Sequence, residues 1–244
     1  MSDPTLLAAR LDSGLSERRP EEPVAEAVCR LCVEILGADG GYIAVGDGPE
    51  PDGPVYATDE RATRIADLEL ALGEGPAHTT LDEGRGLAGD TTAGLAVDLA
   101  TVSARWPLFL PAAISAVGQV RVHVLPLVHR HRRLGVLTTY YSEGAGPRAD
   151  RPSARALADR AGEALVAQDD GGAGDVVADE AHEARAAVDR ATGMVVGQLG
   201  IPASAALAVL RARAFADDET VLAVAREVLA RRLVFDDRHP RGSR

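Results

Sequence analysis

The chain contains no lysine, and all 26 of its basic residues are arginines. Aromatic side chains are also scarce, at 3% of the sequence, while hydrophobic residues reach 46%. This composition favours helices and sheets built from Ala, Val and Leu, and it disfavours an aromatic platform that stacks on bases or sugars. Without a lysine the chain also lacks a residue that a phosphate-receiving aspartate domain needs in its site.

Long apolar runs and catalytic signatures are missing as well. No segment approaches the roughly 20 apolar residues that a membrane-spanning helix needs. Residues 1–7 lack the basic and apolar regions of a secretory signal, so we expect a cytoplasmic protein without membrane contact. The sequence has no phosphate-binding loop, no nucleophile-elbow motif and no zinc-binding helix motif. We therefore expect no enzyme activity, no cofactor and no metal.

Cysteine occurs only twice, as Cys29 and Cys32. The pair forms a single C-x-x-C within the apolar-periodic segment 24–36, which places the two thiols one helical turn apart. A redox or metal-binding pair usually comes with a second cysteine pair, a nearby histidine or a preceding strand. The pattern therefore favours two small apolar side chains in a helix.

The formal net charge of −11 is distributed unevenly. Residues 1–175 hold 27 acidic residues and 16 arginines, whereas residues 176–244 hold ten of each. The acidic first part disfavours binding to nucleic acid, because phosphates would be repelled. The neutral, arginine-rich second part permits such binding.

Hydrophobic periodicity divides the first part of the chain into helices and strands. Residues 1–23 are predicted to form a weak N-terminal helix and a turn, and residues 24–168 a domain. Within that domain the helices are predicted at 24–36, 60–72, 77–82, 104–116 and 153–168, with a short further segment at 87–92. Strands are predicted at 40–46, 55–58, 117–128 and 134–141, with a hairpin at 129–133. This order indicates an α+β sandwich with a mostly antiparallel sheet.

A glycine-rich hinge at 169–175 separates this domain from a second unit at 176–235, and residues 236–244 are predicted to be a flexible tail. The second unit consists of three predicted helices. The first ends before Gly200, the second begins near Pro202, and the third follows the capping sequence 217–220. Apolar residues at helical spacing on each of them predict a three-helix bundle.

Four short motifs in residues 24–168 resemble the GAF domain, a small-ligand sensing module. They are Leu36-Gly37-Ala38-Asp39-Gly40, Leu72-Gly73-Glu74-Gly75-Pro76, Ala104-Arg105-Trp106-Pro107 and Leu134-Gly135-Val136-Leu137. The resemblance implies an α/β/α sandwich with a six-stranded sheet and a ligand pocket on one face. Ala77 stands where relatives often have a cysteine, which argues against thiol-based sensing. The side chains expected near a pocket are Tyr42, Tyr56, Trp106, His123 and Tyr140.

The second unit resembles the ANTAR domain, an RNA-binding module of bacterial transcription antiterminators. The resemblance runs from Val188-Asp189-Arg190-Ala191-Thr192-Gly193-Met194-Val195 through Ala206-Leu207 and Leu210-Arg211 to Val224-Ala225-Arg226. Several arginines lie off the apolar stripes, where they can reach phosphates and unpaired bases. The RNA-binding residues expected from these observations are Arg185, Arg190, Thr192, Gly193, Arg211, Arg213, Thr220 and Arg226.

Alternative interpretations remain for these residues. The arginines can equally form a solvated face of ion pairs, and Gly193 and Gly197 can serve tight helix packing or the close approach of an RNA backbone.

Together the two resemblances imply a signal-responsive transcription antitermination regulator. Its C-terminal domain would bind short RNA hairpins as a homodimer, under the control of an N-terminal domain that senses an unknown small molecule or protein. The alternative is a regulator whose helical domain binds a partner protein and not RNA. The two differ in salt dependence, since affinity that rests on phosphate contacts falls steeply with ionic strength.

Overall fold

The computed structural model describes residues 3–46, 54–83, 95–98, 105–130, 132–142, 145–167, 175–217 and 219–235. Its residue contacts divide the chain into two compact units, Met1–Ala181 and His182–Arg244. The first unit, called the sheet unit below, combines helices with an antiparallel sheet. The second, called the helical unit, consists in its described ranges of helices and the short irregular segments next to them. The predicted α+β class is confirmed.

The helices and strands have bounds close to those that the periodicity predicts. The helices are α1 Pro4–Ser16, α2 Val24–Leu36, α3 Glu60–Leu72, α4 Pro76–Glu83, α5 Phe109–Val117, α6 Arg151–Val166, α7 Asp175–Leu199, α8 Ala203–Asp217 and α9 Val221–Leu229. The strands are β1 Gly40–Val45, β2 Pro54–Ala57, β3 Leu95–Asp98, β4 Val120–His129 and β5 Arg132–Ser142.

The described strands form one sheet in the order β2-β1-β5-β4-β3, and every neighbouring pair is antiparallel. A tight hairpin joins β4 to β5 at the predicted position, with His129 opposite Arg132. In the centre of the sheet Tyr42 on β1 lies opposite Thr138 on β5. Within the described ranges this sheet has five strands, where the resemblance to GAF domains implies six.

Helices cover both faces of the sheet. Neighbouring residues of a strand enter different cores, because side chains alternate between the two faces. Tyr42 and Ala44 point into an apolar core shared with α3, α4 and α5. Ile43, between them, points into a second core shared with α1, α2 and α6. The N-terminal helix α1 packs on α2 and α6 and so belongs to the sheet unit.

Short polar side chains begin several of the helices. Asp59 accepts a hydrogen bond from the amide of Ala62 at 2.9 Å, and Asp150 accepts one from Ser153 at 3.1 Å. Each bond satisfies one of the amides that the first turn of a helix leaves without a partner in the helix. The starts of these helices, which the sequence predicts, therefore have direct structural causes.

Two elements differ from the prediction. Helix α5 begins at Phe109 rather than at residue 104, because Pro107 disfavours a helical conformation at Trp106. The predicted strand 117–128 begins only at Val120, since Val117 is the last residue of α5 and Gly118 turns the chain with a φ of +79°. The four-residue strand β3 was not predicted, and the predicted segment 87–92 lies outside the described residues.

The described part of the helical unit consists of the end of α7 and of α8 and α9, each with buried apolar side chains at helical spacing. These include Ala191, Val195, Ala206, Leu210, Ala214, Val221, Val224, Ala225 and Val228. Helix α8 packs against α9, and the Gln198 side chain at the end of α7 accepts a hydrogen bond from the amide of Phe235 at 3.0 Å.

The predicted boundaries of the helical unit fall largely outside the described residues. Residues 169–174 of the proposed hinge and the tail 236–244 lie outside the described residues, and α7 begins at Asp175, the last residue of the proposed hinge. The division between the two compact units therefore falls inside α7. Among the described helices, none combines the length and the apolar character needed to cross a membrane.

Candidate functional site

One face of α7 is open to solvent and carries small residues next to an arginine. Arg190, Gly193 and Gly197 are all exposed, and their spacing of three and four residues puts them on the same side of the helix. A Cβ atom added at either glycine would meet no described atom within 4 Å. Close packing within the described chain therefore does not explain these two mid-helix glycines.

The absence of a packing reason has an energetic consequence. Glycine in a helix interior costs about 1 kcal/mol relative to alanine, because it loses more backbone freedom on folding. Two such residues on one open face reduce the stability of α7 without any compensating contact in the described residues. We call the surface formed by Arg190, Gly193 and Gly197 the α7 face.

The other residues expected to bind RNA have different surroundings. Arg213 forms an ion pair with Asp217 one turn further along α8. Arg211 is half-buried, whereas Arg226 is exposed in the last turn of α9. Among the described residues no carboxylate lies within ion-pairing distance of Arg190 or Arg226, so their guanidinium groups are available to a partner. The Arg185 side chain lies outside the described part.

Both predicted threonines use their hydroxyl groups within the helical unit. The Thr192 side chain is buried, and its hydroxyl donates to the carbonyl oxygen of Val188 at 2.8 Å. Thr220 precedes α9 and its hydroxyl oxygen accepts a hydrogen bond from the amide of Ala223 at 3.0 Å. These contacts give each threonine a role in helix geometry that does not involve RNA.

The five side chains expected near a ligand pocket do not come together. Tyr42, Trp106 and Tyr140 are buried in the core beneath α3, α4 and α5. Tyr56 packs against the opposite core, beneath α1, α2 and α6. His123 precedes Val124 of the first core, so strand alternation puts its side chain on the same side as Tyr56. The sheet itself separates the two groups.

His123 is buried in an environment that disfavours its charged form. Burial, together with the nearby Arg151 charge, lowers its pKa to about 4. Among the described residues, its Nδ1 atom has no hydrogen-bond partner. The imidazole is therefore neutral at physiological pH.

A buried carboxylic acid that was not among the predicted site residues lies in the first core. Glu69 on α3 is only 1% exposed. Its Oε2 accepts a hydrogen bond from the Tyr42 hydroxyl, and its Oε1 accepts one from the amide of Ala77 at 2.8 Å. Burial raises the pKa of Glu69 to about 7, and the two hydrogen bonds oppose that rise. The signal available in the sequence was a charged residue four positions after Ile65, within the apolar stripe of a predicted helix.

The loop between α3 and α4 closes over this carboxyl group. Gly75 has a φ of +141°, and a Cβ atom there would lie 2.3 Å from Oε1 of Glu69. Glu74 in the same loop accepts hydrogen bonds from the amides of Leu108 and Phe109 at 3.0 and 3.3 Å, ahead of α5. The motif Gly73-Glu74-Gly75 thus builds a tight corner that joins three helices.

The single tryptophan of the chain stands beside this corner. Its indole Nε1 donates to the Thr79 hydroxyl of α4 at 2.9 Å. The Trp106 and Phe109 rings are nearly perpendicular, with their centroids 6.2 Å apart. Trp106 therefore reports on the position of α4, which makes it a natural fluorescent probe of the corner.

The cysteine pair is part of the second core. Cys29 and Cys32 are free thiols with no exposed surface. Burial raises the pKa of Cys29 to about 12 and that of Cys32 further still. Thiols that stay protonated are poor nucleophiles and poor metal ligands. Their placement agrees with the interpretation of both residues as small apolar side chains.

Within the described ranges, no group of three or more His, Cys, Asp or Glu side chains is arranged to hold a metal ion. Neither the models of known protein families nor the curated proteins give a match to this sequence.

Proposed function

We propose that the helical unit binds RNA through the α7 face and that the chain regulates transcription antitermination. The observation that carries the proposal is the open stripe of Arg190, Gly193 and Gly197, at which glycine has no packing role in the described chain. Glycines on a helix face let a phosphodiester backbone come closer. The Arg190 guanidinium group beside them, which pairs with no described carboxylate, supplies a bidentate donor for phosphate or a guanine edge.

The sequence supports the same proposal in two further ways. The helical part carries no net charge in an otherwise acidic chain, so it is the part that repels phosphates least. The resemblance of residues 188–226 to ANTAR domains implies binding to short RNA hairpins as a homodimer. The resemblance of residues 24–168 to GAF domains adds an unidentified small-molecule or protein signal at the sheet unit.

The test compares two arginines that differ in their surroundings. The full-length protein and its variants Arg190→Gln and Arg213→Gln are crosslinked to RNA in cells, and the recovered RNA is sequenced. Both variants lose one exposed charge, but Arg213 already pairs with Asp217, whereas no described carboxylate pairs with Arg190. We expect Arg190→Gln to lower the recovery of specific hairpins about 5- to 100-fold, the effect of losing one good contact, and Arg213→Gln to change it much less.

The affinity of purified protein for the recovered hairpins then separates RNA binding from a protein partner. Each phosphate contact contributes a slope of about 0.7–0.9 in the dependence of log affinity on log salt concentration. Arg190→Gln should reduce that slope by roughly one contact. Equal recovery of the same hairpins by wild type and Arg190→Gln, with unchanged salt dependence, would contradict the assignment of the α7 face to RNA.

A further inference from the structure

The turn between β4 and β5 holds the densest group of arginines in the chain. Its sequence is His129-Arg130-His131-Arg132-Arg133, and no other stretch of four residues contains three arginines. The group lies in the acidic part of the chain, where residues 1–175 hold 27 acidic residues and 16 arginines. The RNA-binding face proposed on α7 does not account for it. We call residues 128–133 the hairpin tip.

The hairpin tip extends past the ends of the strands beside it. On one side, the pairing of β1 with β5 ends at Val45 and Gly135. On the other side, the described pairing of β3 ends at Val124 of β4. Leu127 lies opposite Gly135, so Arg130, three residues later, is roughly 10 Å past the last pair of β1 and β5. Among the described strands, the tip is therefore a ribbon of two strands only.

The backbone of the turn does not favour the residues that it contains. His129 pairs with Arg132, so two residues, Arg130 and His131, make the connection. Arg130 has a φ of +46°, in the left-handed region that Gly, Asn and Asp adopt more readily than Arg. The chemistry of a two-residue turn therefore favours a sequence such as Asn-Gly and does not explain an arginine at this position.

Two arginines of the tip have described surroundings, and these differ. Arg133 is half-buried, and its Nη1 donates to the carbonyl oxygen of Leu81 in the last turn of α4. Arg130 is exposed, and among the described residues no carboxylate lies within ion-pairing distance of it. His131 and the Arg132 side chain lie outside the described part. Arg133 thus fixes the tip to the sheet unit, while Arg130 points its charge into solvent.

The described charges near the tip do not cancel that of Arg130. Helix α6 packs against Val128, since a Cβ atom added at Gly162 would lie 2.8 Å from the Val128 carbonyl oxygen. The next residue of α6, Glu163, lies 3.6 Å from Nη1 of Arg160 on the same helix. The Debye length is about 8 Å at physiological salt, so charges on the body of the sheet are largely screened at the end of the tip.

We propose that the hairpin tip binds the phosphodiester backbone of RNA through Arg130, as a second contact in addition to the α7 face. The choice of RNA as the ligand rests on the proposed function. An exposed guanidinium group can donate two parallel hydrogen bonds to one phosphate. Because phosphate contacts carry no sequence information, the tip strengthens binding to any RNA and leaves the choice of hairpin to the helical unit.

The test uses Arg130→Asn in the full chain, because asparagine removes the charge but accepts the left-handed conformation of the turn. Affinities for single-stranded oligouridylate and for the RNA hairpins recovered by crosslinking are measured by fluorescence anisotropy. Both should fall about 3- to 10-fold, and the slope of log affinity against log salt concentration should fall by about 0.7–0.9. Arg130→Lys keeps the charge and should keep the wild-type slope.

Arg19→Asn is the matched control. Arg19 is an exposed arginine of the same unit between α1 and α2, so the substitution removes an equal charge away from the hairpin tip. Its affinities for both RNAs should equal those of the wild type. Equal losses in Arg19→Asn and Arg130→Asn would show that only the net charge of the unit matters, and would overturn the proposal.

Arg190→Gln, measured beside Arg130→Asn, separates this proposal from that of the α7 face. If Arg190→Gln lowers RNA affinity and Arg130→Asn does not, the contact at the tip is wrong and the α7 face stands. If only Arg130→Asn lowers it, the tip is supported and the α7 face is wrong. If the wild type binds neither RNA, both assignments are wrong.

Two further measurements test other partners for Arg130. The thermal unfolding midpoint of Arg130→Asn should equal or exceed that of the wild type, because asparagine suits the turn better than arginine. A lower midpoint would show that Arg130 pairs within the folded chain. Binding to polyglutamate that is lost in Arg130→Asn, with RNA affinity unchanged, would assign the tip to an acidic protein. Either result would overturn the proposal.

Discussion

Glu69 and His123 are buried ionisable residues on opposite sides of the sheet, and burial moves their pKa values in opposite directions. The pKa of Glu69 rises from 4.5 to about 7, whereas that of His123 falls from 6.5 to about 4. Both shifts favour the neutral form, since a low-dielectric core penalises charge of either sign. The two residues therefore make opposite contributions to the pH dependence of stability.

The signs follow from proton binding. Between pH 4.5 and 7 the folded state binds more protons at Glu69 than the unfolded state does, so the contribution of Glu69 to stability falls as pH rises. Between pH 4 and 6.5 the unfolded state binds more protons at His123, so the contribution of His123 rises with pH. Each effect is about 3 kcal/mol over its window, and the two effects oppose each other where the windows overlap.

Variants of Glu69 or of His123 alone should separate the two contributions to the pH dependence of stability. The free energy of unfolding of the sheet unit is measured between pH 4.5 and 6.5 by urea denaturation with Trp106 fluorescence. Relative to the wild type, Glu69→Gln should become more stable as pH rises, and His123→Leu less stable. A pH dependence equal to that of the wild type in both variants would show that neither residue is held neutral in the folded state.

At the scale of the element, Thr220 was predicted to bind RNA, but its side chain has a role in its own helix, α9. Its side chain accepts a hydrogen bond from the amide of Ala223 and begins α9, whose inner face carries Val221, Val224 and Val228. The Thr-x-x-Ala sequence alone does not reveal this bond, because either neighbouring acid could also cap the helix. The structure assigns the cap to Thr220.

Substitution of this cap should destabilise α9. Thr220→Ala is expected to lower the free energy of unfolding of the helical unit by about 1 kcal/mol, whereas Thr220→Ser keeps the hydroxyl oxygen and should lose only a few tenths. Thermal unfolding followed by circular dichroism at 222 nm measures both variants. Equal stability of the alanine and serine variants would mean that the hydrogen bond to Ala223 does not stabilise the helix.

Element bounds were largely predictable because their causes are local. Helix α2 is bounded by Pro23 and Gly37, and α3 by Asp59 and Gly73, so the sequence marks where each begins and ends. Strand β3 was not predictable, since four residues at a sheet edge are fixed by pairing with β4 rather than by their own pattern. The start of α5 depends on contacts with Glu74, which lies 34 residues earlier than Leu108.

The candidate sites were less predictable than the elements because they depend on which side of the sheet a side chain meets. Tyr42 and Tyr56 both looked suitable for a pocket, but the register of β1 and β2 sends them to opposite cores. Glu69 was missed because a single charged residue in an apolar stripe does not show what it contacts. Gly193 and Gly197 were visible in the sequence, but only the space around them shows that packing against the described residues does not explain them.

On the scale of the whole molecule, charge and open surface are separated along the chain. Residues 1–175 account for the entire net charge of −11, and the sheet unit also holds the buried groups with strongly shifted pKa values. The helical unit contains the α7 face. This division agrees with a proposal in which one unit responds to conditions and the other selects the RNA that is bound.

The double variant Gly193→Ala/Gly197→Ala tests whether RNA binds at the α7 face, when its affinity for the recovered RNA hairpins is measured together with its stability. Added Cβ atoms meet no described atom, so the variant should be more stable than the wild type by about 1–2 kcal/mol. If the RNA backbone approaches the α7 face, the same two methyl groups should weaken RNA binding at least tenfold. A variant that gains stability and binds RNA as tightly as the wild type would contradict the account.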